Sequence, residues 1–357
     1  MNDTVYPLTA SQPYPRRQWW MVAYSSEVDR EILPRTVLGE KIVLYRTEEG
    51  QAIAVSGVCP HRMYPLEKGR LVGNDIQCGY HGFKYDTKGA CVLTPSQETP
   101  APACLRSYPL IEHGGTVWIW TGEAHLADPA LMPDLSSVGV GNPAWAADMS
   151  PCFELKGRYT LLIDNLLDLT HVSFIHIDTL PNGEAVAKLP YELVSTDKSL
   201  NMRRVGKGIP SNPFLTLLFP NYDGPADQSF DAEYMGPCLI RTAGPMWASG
   251  SGEPLGTLNF LHIITPETPT TTRYYVITTR DFGLGNPAIS AMSEHFARTI
   301  GPQDQDAIEA IERVLQGGNR PREISCRADA GDIQVRRRLS AQIEAEQAAP
   351  VKQAAAA

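Results

Sequence analysis

The stretches CPHRMYPLEKG (residues 59–69) and CGYHGFKYD (residues 78–86) decide how the first third of this chain folds. Each stretch holds one cysteine and one histidine close together, in the patterns C-x-H and C-x-x-H, with sixteen residues between the two pairs. Two thiols and two imidazoles on two loops can surround one metal centre. Two kinds of centre fit: a structural zinc ion, or a Rieske [2Fe–2S] cluster with two thiolates on one iron and two imidazoles on the other. The four candidate ligands are Cys59, His61, Cys78 and His81.

The distribution of these ligands favours the cluster. Because each loop carries one sulfur and one nitrogen, each loop can serve both irons, whereas zinc fingers usually group the cysteines together and the histidines together. Gly79 and Gly82 are expected to let the backbone approach the inorganic sulfides. Short strand-like segments separated by turn residues surround both loops and predict an all-β domain over residues 17–125.

The two motifs, with a proline after the first cysteine and YHG at the second, resemble the Rieske domain of ring-hydroxylating and demethylating oxygenases. This resemblance implies that the four residues bind a [2Fe–2S] cluster. Replacing two thiolates by neutral imidazoles raises the reduction potential above that of a plant-type ferredoxin. The chain should therefore also contain a site that accepts the electrons.

A second candidate site lies in DNLLDLTHVSFIH, residues 164–176. Each residue of an α-helix turns by about 100°, so His171 and His176 would lie roughly 140° apart on a regular helix. Metal-binding pairs on one helix are usually four residues apart. We therefore expect the helix predicted over residues 158–176 to deform or end between the two histidines.

Oxygen activation at non-haem Fe(II) requires two histidines and one carboxylate on one face of the metal. The segment GPQDQDAIEAIE contains the candidate acids, and a helix break is predicted at its proline, Pro302. Asp304 follows that break and is expected to face inward, with Asp306 as the alternative. Glu309 and Glu312 are expected to be solvated surface charges.

Both segments also resemble the iron-binding motifs of the same oxygenase family, which implies His171, His176 and Asp304 as ligands of a mononuclear Fe(2+). Asp168, one turn before His171, is expected to orient that imidazole. In the family, the matching acid also contacts a Rieske histidine of a neighbouring subunit. That implies a bridge through Asp168 and a homotrimer of this chain. Asn165 matches a position near the iron.

The chain has 357 residues, enough for two domains. We predict an α+β fold, with the Rieske domain over residues 17–125 and a catalytic domain over residues 150–346, in which helices pack on an antiparallel sheet in a helix-grip-like arrangement. Residues 347–357 are predicted to be a disordered tail. The candidate strands lie near residues 190–208, 228–240, 256–266 and 271–280.

Composition narrows the function classes. Lys and Arg total 31 against 40 Asp and Glu, a net charge of −9, so nothing indicates a nucleic-acid-binding surface. There is no apolar run of membrane-spanning length, and the N-terminus lacks the apolar core of a secretory signal, so we expect a cytoplasmic protein. Seven scattered cysteines argue against a disulfide framework.

ITPET (residues 264–268) and DAGDIQVRR (residues 329–337) extend the resemblance to the oxygenase components of vanillate O-demethylase and dicamba demethylase. The resemblance implies a terminal oxygenase component that uses O2 and NAD(P)H-derived electrons to oxidise a small aromatic substrate, most simply by O-demethylation of a methoxylated aromatic acid. A separate reductase, with or without a ferredoxin, is required because the chain has no convincing dinucleotide-binding motif.

Several alternatives stay open at this point. The same iron site serves ring dihydroxylation, N-demethylation and aryl-methyl hydroxylation. From other classes, the chain could be a Rieske electron carrier with an inactive second domain, or a zinc-stabilised scaffold. His295 and Asn259 are candidate substrate contacts, and residues 211–224 are a candidate lid or wall of the pocket.

Overall fold

The computed structural model describes residues 13–179, 183–318 and 321–348. From residue 349 onward, the predicted disordered tail lies outside the described residues, whereas residues 347 and 348 still belong to the last helix. The chain divides into two compact units. The N-terminal unit comprises Arg16–Met132 with Glu267–Pro269, and the C-terminal unit is built mainly from Pro133–Pro266 and the residues from Thr270 onward.

The N-terminal unit is an all-β structure of small sheets. Its strands are β1 Trp19–Tyr24, β2 Leu33–Val37, β3 Glu40–Arg46, β4 Ala52–Ser56, β5 Val58–Cys59, β6 Tyr64–Pro65, β7 Arg70–Val72, β8 Asp75–Gln77, β9 Lys84–Tyr85, β10 Cys91–Leu93, β11 Leu110–His113 and β12 Thr116–Trp120. They form sheets in the orders β1-β12-β11, β2-β3-β4 and β10-β9-β8-β7, with β5 and β6 as a separate pair. Strands β1 and β12 are buried along their whole length, in keeping with their aromatic and β-branched residues.

The C-terminal unit is an antiparallel sheet with helices. Its strands are β13 Ala146–Met149, β14 Phe153–Leu155, β15 Tyr191–Ser195, β16 Leu200–Ile209, β17 Ala226–Tyr234, β18 Leu239–Ala248, β19 Pro254–Thr268 and β20 Thr271–Arg280. Its helices are α1 Tyr159–Leu167, α2 Val172–Ile175, α3 Gly183–Lys188, α4 Pro213–Leu218, α5 Pro287–Gln316 and α6 Ala330–Ala348. The sheet order is β13-β20-β19-β18-β17-β16-β15, and β14 also pairs with β20.

The α+β fold class is confirmed, although two predicted strands are wrong in their bounds. The segment 190–208 holds two strands, because a turn closed by the hydrogen bond from Thr196 N to Ser199 O separates β15 from β16. The segment 228–240 runs past a turn at Gly236, whose φ of +127° favours glycine, so it joins β17 to the start of β18. Among the described residues, no helix is long and apolar enough to cross a membrane.

The predicted helix break at Pro302 is also wrong. Helix α5 runs unbroken through 30 residues with Pro302 inside it. An interior proline costs about 3 kcal/mol, and packing of the buried face of α5 offsets this cost. Gly301 is part of that packing, because an added Cβ would lie 2.7 Å from the ring of Phe153. The unbroken helix turns Asp304 toward the interior, where its side chain is buried.

Helix α6 buries one of its faces against the sheet and α1. Asp332 is the charged residue on that face, and one of its oxygens has no hydrogen-bond partner among the described residues. Burial, followed by the charges of Asp164 and Asp168, raises the pKa of Asp332 to about 9. The neighbouring cation, Arg336, already binds Asp164 and a second carboxylate, so it leaves Asp332 without a dedicated counter-charge.

Asp332→Asn is therefore expected to stabilise the protein at pH 8 and to leave its stability unchanged at pH 4. The unfolded chain releases the carboxyl proton of Asp332 near pH 4, whereas the folded chain holds it to about pH 9. The buried carboxyl therefore destabilises the folded wild-type protein increasingly as the pH rises from 4 to 9. A gain on the order of 1–4 kcal/mol at pH 8 should appear in urea unfolding. Asp306→Asn, at an exposed acid, is the control. An unchanged difference between variant and wild type from pH 4 to pH 8 would contradict this account.

Two candidate metal centres

The four cysteine and histidine residues of the N-terminal unit come together at the ends of short strands. Cys59 ends β5 and Cys78 follows β8, and both side chains are buried in the core of the unit. The rings of His61 and His81 lie nearer the surface, with their centroids 4.6 Å apart and their planes at 72°. Phe83 stacks on His61 at a centroid distance of 4.5 Å. The arrangement therefore places two thiols inside and two imidazoles outside.

Burial favours the neutral forms of the Cys78 and His61 side chains. Burial raises the pKa of the Cys78 thiol, although the backbone N–H groups of Tyr80 and His81 act in the opposite direction. Burial, and then the nearby His81 and Arg62, lower the pKa of His61 and favour its neutral form. Neutral imidazoles and thiols that lose their protons to a cation are the ligands a metal centre requires.

The spacing of the four residues fits a cluster better than a single ion. Across residues 13–179, 183–318 and 321–348, one group of three or more potential ligands has all its ligating atoms within 4.8 Å of one another, and it lies in the C-terminal unit. For no three of Cys59, His61, Cys78 and His81 do the ligating atoms all lie within 4.8 Å of one another. A single tetrahedral zinc ion would require that spacing. Two thiols and two imidazoles at wider spacing match a [2Fe–2S] cluster that binds sulfur on its inner iron and nitrogen on its outer iron.

The glycines beside Cys78 bring the loops together. A Cβ on Gly79 would collide with the carbonyl oxygen of Lys68 on the other loop. Gly82 has a φ of +74°, a backbone conformation that side chains other than hydrogen rarely allow. The contact between the loops and the turn each require a glycine at these positions.

The group in the C-terminal unit consists of His171, His176 and Asp304. The Nε2 atom of His176 lies 3.1 Å from Oδ1 of Asp304, and the Nε2 atom of His171 lies 3.6 Å from the same oxygen. The two imidazole rings stand at 77° with a centroid distance of 5.3 Å. Two nitrogens and one oxygen that converge on one point form the ligand set of a facial non-haem Fe(II) site.

The helix that carries the histidines is interrupted earlier than predicted. Helix α1 ends at Leu167, and Asp168 has extended backbone angles of φ −94° and ψ 92°. A 3₁₀ turn then leads to His171, helix α2 follows, and it ends where His176 begins a turn. The expected helix end between the histidines is confirmed, because α2 ends at Ile175. The additional break at Asp168 was not predicted.

Each ligand is held by a different partner. The Nδ1–H of His171 donates to the main-chain carbonyl of Asp168 at 2.6 Å. The Nδ1 atom of His176 lies 2.8 Å from Oε1 of Gln303. Asn165 donates from Nδ2 to Oδ1 of Asp304 at 3.1 Å. Asn165 thus contacts a candidate ligand, and Asp168 orients His171 through its backbone and not through its carboxylate.

The carboxylate of Asp168 has a separate partner. Its Oδ1 accepts a hydrogen bond from Thr170 N at 2.9 Å, and its Oδ2 accepts one from the Thr170 hydroxyl at 2.8 Å. The side chain is half-buried. Each oxygen keeps a further lone pair, so the carboxylate can accept another donor from outside the chain.

The charge at this site favours a cation. Burial lowers the pKa of His176, but hydrogen bonding to Asp304, the charge of Asp304 and a bond to Gln303 outweigh burial, so the pKa is raised. A bound metal ion would take the place of that proton. The donor set and its burial therefore fit a mononuclear Fe(II).

The acids that were not chosen as ligands lie elsewhere. Asp306 is exposed on α5, and Glu309 accepts a hydrogen bond from Lys156 N. Glu312 was expected on the surface, which is wrong, because it is buried against Arg158 and accepts two hydrogen bonds from its guanidinium at 2.7 and 2.9 Å. This ion pair ties α5 to the start of α1.

The structure does not bring the two candidate substrate contacts to the triad. His295 is exposed and lies nine residues before Asp304, which places it about 180° around the helix from that acid. Asn259 is buried between Arg241 and Thr279, with hydrogen bonds of 3.3 Å to each. It lies on the sheet face opposite His262, because the two positions differ by an odd number of residues on one strand.

His262 is the functional candidate that the sequence reasoning missed. Its pKa is lowered to about 4 by burial, and it is close enough to Asp304 and His171 for their charges to act on it. Its Nε2 shares a hydrogen bond with Thr242 at 2.9 Å, and its Nδ1 shares one with Tyr274 at 2.6 Å. The signal in the sequence was a histidine inside an apolar strand, directly before the ITPET stretch.

Residues 211–224, the candidate lid or wall, pack on the sheet and on α5. Asn212 caps α4 by accepting hydrogen bonds from the N–H groups of Phe214 and Leu215. The apolar side of this segment joins a buried cluster with sheet and α5 residues, namely Leu215, Leu218, Phe219, Ala226, Met246, Leu258 and Ile289. Phe260, which shares its sheet face with His262, packs at the edge of the cluster.

Comparison with known proteins agrees with both centres. Residues 18–109 match the Rieske [2Fe-2S] domain, and residues 155–345 match the vanillate O-demethylase oxygenase C-terminal domain. The putative toluene-4-sulfonate monooxygenase system iron-sulfur subunit of Comamonas testosteroni is 32% identical in an alignment that covers 93% of this chain and 97% of that protein. The oxygenase component of dicamba O-demethylase from Stenotrophomonas maltophilia is 29% identical in an alignment that covers 91% of this chain and 97% of that protein.

A solved structure supports the fold over the whole length. The crystal structure of dicamba monooxygenase bound to 3,6-dichlorosalicylic acid superposes with a TM-score of 0.83 at 27% identity, covering 94% of this chain and 99% of that chain. A second crystal structure of that enzyme contains non-haem iron and dicamba, and it covers 93% of this chain.

The two centres should be separable by mutation. The fully loaded chain is expected to carry about three irons, two in the cluster and one in the mononuclear site. Asp304→Ala should lower this count to about two without changing the visible spectrum of the cluster, because the cluster ligands lie in the other unit. Cys78→Ala should abolish that spectrum. Iron analysis with absorption spectroscopy measures both.

Asp306→Asn is the matched control for this experiment, since it removes an exposed acid two residues from Asp304. It should keep about three irons per chain. Retention of the third iron by Asp304→Ala, or its loss in Asp306→Asn, would show that the carboxylate ligand has been assigned to the wrong residue.

Proposed function

Because this chain belongs to the Rieske oxygenases of the vanillate O-demethylase type, we propose that it removes a methyl group oxidatively from a methoxylated aromatic acid. The resemblance stated from the motifs is confirmed, and the chain is an oxygenase component of a multicomponent monooxygenase. Its redox partner is accordingly a reductase, with or without a ferredoxin. The reaction on a methyl ether yields a phenol and formaldehyde.

The observation that carries the proposal is the convergence of His171, His176 and Asp304, with His262 of the sheet close enough for the charges of Asp304 and His171 to act on it. When bound, the cluster supplies single electrons and the ferrous ion supplies the open coordination positions at which O2 is activated. The protein holds the two imidazoles and the carboxylate in place through the Asp168 carbonyl, Gln303 and Asn165.

His262 supplies a neutral polar group on the sheet face near the triad. Since its pKa is about 4, the imidazole is uncharged at physiological pH. Its hydrogen bonds connect it to Thr242 and Tyr274, and a neutral imidazole donates through one nitrogen and accepts through the other. We assign this chain of three side chains the role of orienting a polar substituent of the substrate.

A second reaction is favoured by one specific relative. The toluene-4-sulfonate relative is named for a substrate with an aryl methyl group and no methoxy group, which supports aryl-methyl hydroxylation as the alternative. The same triad serves both reactions, because both begin by oxidising a C–H bond of a methyl group held next to the metal site.

We further propose that the working form is a homotrimer in which His81 of one copy approaches Asp168 of the next. Exposed apolar side chains lie beside both positions, and such side chains in a soluble protein indicate contact surfaces. Met63, near the cluster ligands, is 66% exposed, and Phe174, near His171, is 79% exposed. The free lone pairs of the Asp168 carboxylate can accept the N–H of a histidine.

The reaction type is tested by supplying the purified protein with a reductase, NAD(P)H and O2, together with methoxybenzoates, methylated aryl sulfonates and unsubstituted aryl acids. We expect formaldehyde in a 1:1 ratio with the phenol from a methoxybenzoate. Alcohol formation from an aryl methyl group without any formaldehyde would support the alternative. A cis-diol as the sole product would contradict both.

The assembly is tested by Met63→Asp and Phe174→Asp, each of which should weaken the trimer at least about tenfold in sedimentation experiments, because each places a charge in a buried apolar contact. Ile311→Asp is the control, because Ile311 is exposed on α5 and belongs to neither of the proposed contacts at Met63 and Phe174. It should leave the trimer intact. Wild-type protein that sediments as a monomer, or equal effects of all three variants, would refute the proposed contact.

A further inference from the structure

We infer that Gln303 is a positioning residue that fixes the tautomer of His176 for metal binding. This inference rests on the proposed metal site. It assigns a role to a side chain that does not itself touch the metal, and it explains how the two histidines can both present Nε2 to one point.

Gln303 connects three parts of the site. It precedes the ligand Asp304 on α5, and its Oε1 lies 2.8 Å from Nδ1 of His176. Its Nε2 donates to the hydroxyl of Thr179 at 3.0 Å. The backbone N–H of Thr179 in turn donates to the carbonyl oxygen of His176 at 2.9 Å. Gln303 therefore holds both the ring and the turn that carries it.

The amide oxygen determines which ring nitrogen carries the proton. An amide oxygen only accepts, so its contact with Nδ1 of His176 requires a proton on that nitrogen. The lone pair is then on Nε2, the atom that lies 3.1 Å from Oδ1 of Asp304. A reversed amide would direct its N–H at Nδ1, place the proton on Nε2 and block the metal-binding atom.

The two histidines differ in how they are held. His171 donates its Nδ1–H to a main-chain carbonyl, that of Asp168, and a side-chain substitution does not remove this acceptor. His176 depends on the side chain of Gln303. Gln303 also adds no charge, so Asp304 stays the single carboxylate in the ligand group. The iron affinity of the site should therefore be sensitive to substitution at position 303.

The test measures Fe(II) affinity in the full-length protein with its cluster loaded, by anaerobic competition with a coloured Fe(II) chelator. Gln303→Leu removes the acceptor at similar size, and it should weaken iron binding by roughly 10- to 100-fold. Gln303→Glu keeps an acceptor for the same N–H, and its affinity should stay within about threefold of wild type or become tighter. Gln303→Met serves as a second variant in case the first does not fold.

Gln305→Leu is the matched control, since Gln305 lies on the same helix and bonds to Glu154 and Glu309 instead of a ligand. Its iron affinity should equal that of wild type. Far-ultraviolet circular dichroism reports folding in every variant. Wild-type affinity in Gln303→Leu, or equal weakening in Gln303→Leu and Gln303→Glu, would overturn the inference, because the lost hydrogen bond would then have no effect of its own.

Asp304→Ala separates this inference from the proposed site. If Asp304→Ala loses the mononuclear iron and Gln303→Leu does not, only the role of Gln303 is refuted. If Asp304→Ala binds Fe(II) as tightly as wild type, the metal site itself has been placed wrongly, and the inference fails with it.

Discussion

The metal site of the C-terminal unit depends on the hydrogen bond from His171 to the main-chain carbonyl of Asp168, which forms where the helix is interrupted. That carbonyl accepts the imidazole N–H because the chain leaves the helix at Asp168, with extended backbone angles, before it turns again. A regular helix would direct the carbonyl along its axis and would separate the two histidines by roughly 140°. The interruption at Asp168 thus orients one ligand, and the end of α2 before His176 lets the second approach the same point. The interruption also leaves the Asp168 carboxylate half-buried, where both of its oxygens accept hydrogen bonds from Thr170.

Both centres use the same construction. Cys59, Cys78 and the two histidines of the triad sit where a strand or helix ends, whereas Asp304 lies inside α5. In the C-terminal unit, neighbouring backbone or amide groups fix the ligands, so the metal meets a site that is largely formed in advance. Cys59 and Cys78 are part of the core of their unit, which ties the cluster loops to its packing. In the C-terminal unit, the long helix α5 supplies Asp304 and Gln303 from one rigid element, and the buried pair of Arg158 and Glu312 anchors that helix.

The sequence predicted the ligand types and the fold class well, because motif spacing and strand periodicity are local properties. The predictions from the sequence were wrong where tertiary packing determines the local structure. Pro302 was expected to break a helix that its buried face sustains, and Glu312 was expected in solvent although Arg158 buries it. Gln303 and His262 escaped notice since their partners lie more than ten residues away along the chain. The five-residue spacing of the histidines did predict the helix end between them, but not the earlier break at Asp168.

The central claim is that a cluster in one copy serves the mononuclear site of the next through Asp168. Mixed assemblies of Cys78→Ala, which lacks the cluster, and Asp304→Ala, which lacks the mononuclear iron, test it most directly. Each variant alone should be inactive. Equal co-expression should restore about a quarter of the wild-type turnover per chain, since about one neighbouring pair in four then combines an intact cluster with an intact iron site in the required order. Co-expressed protein that is no more active than the separate variants would contradict the account.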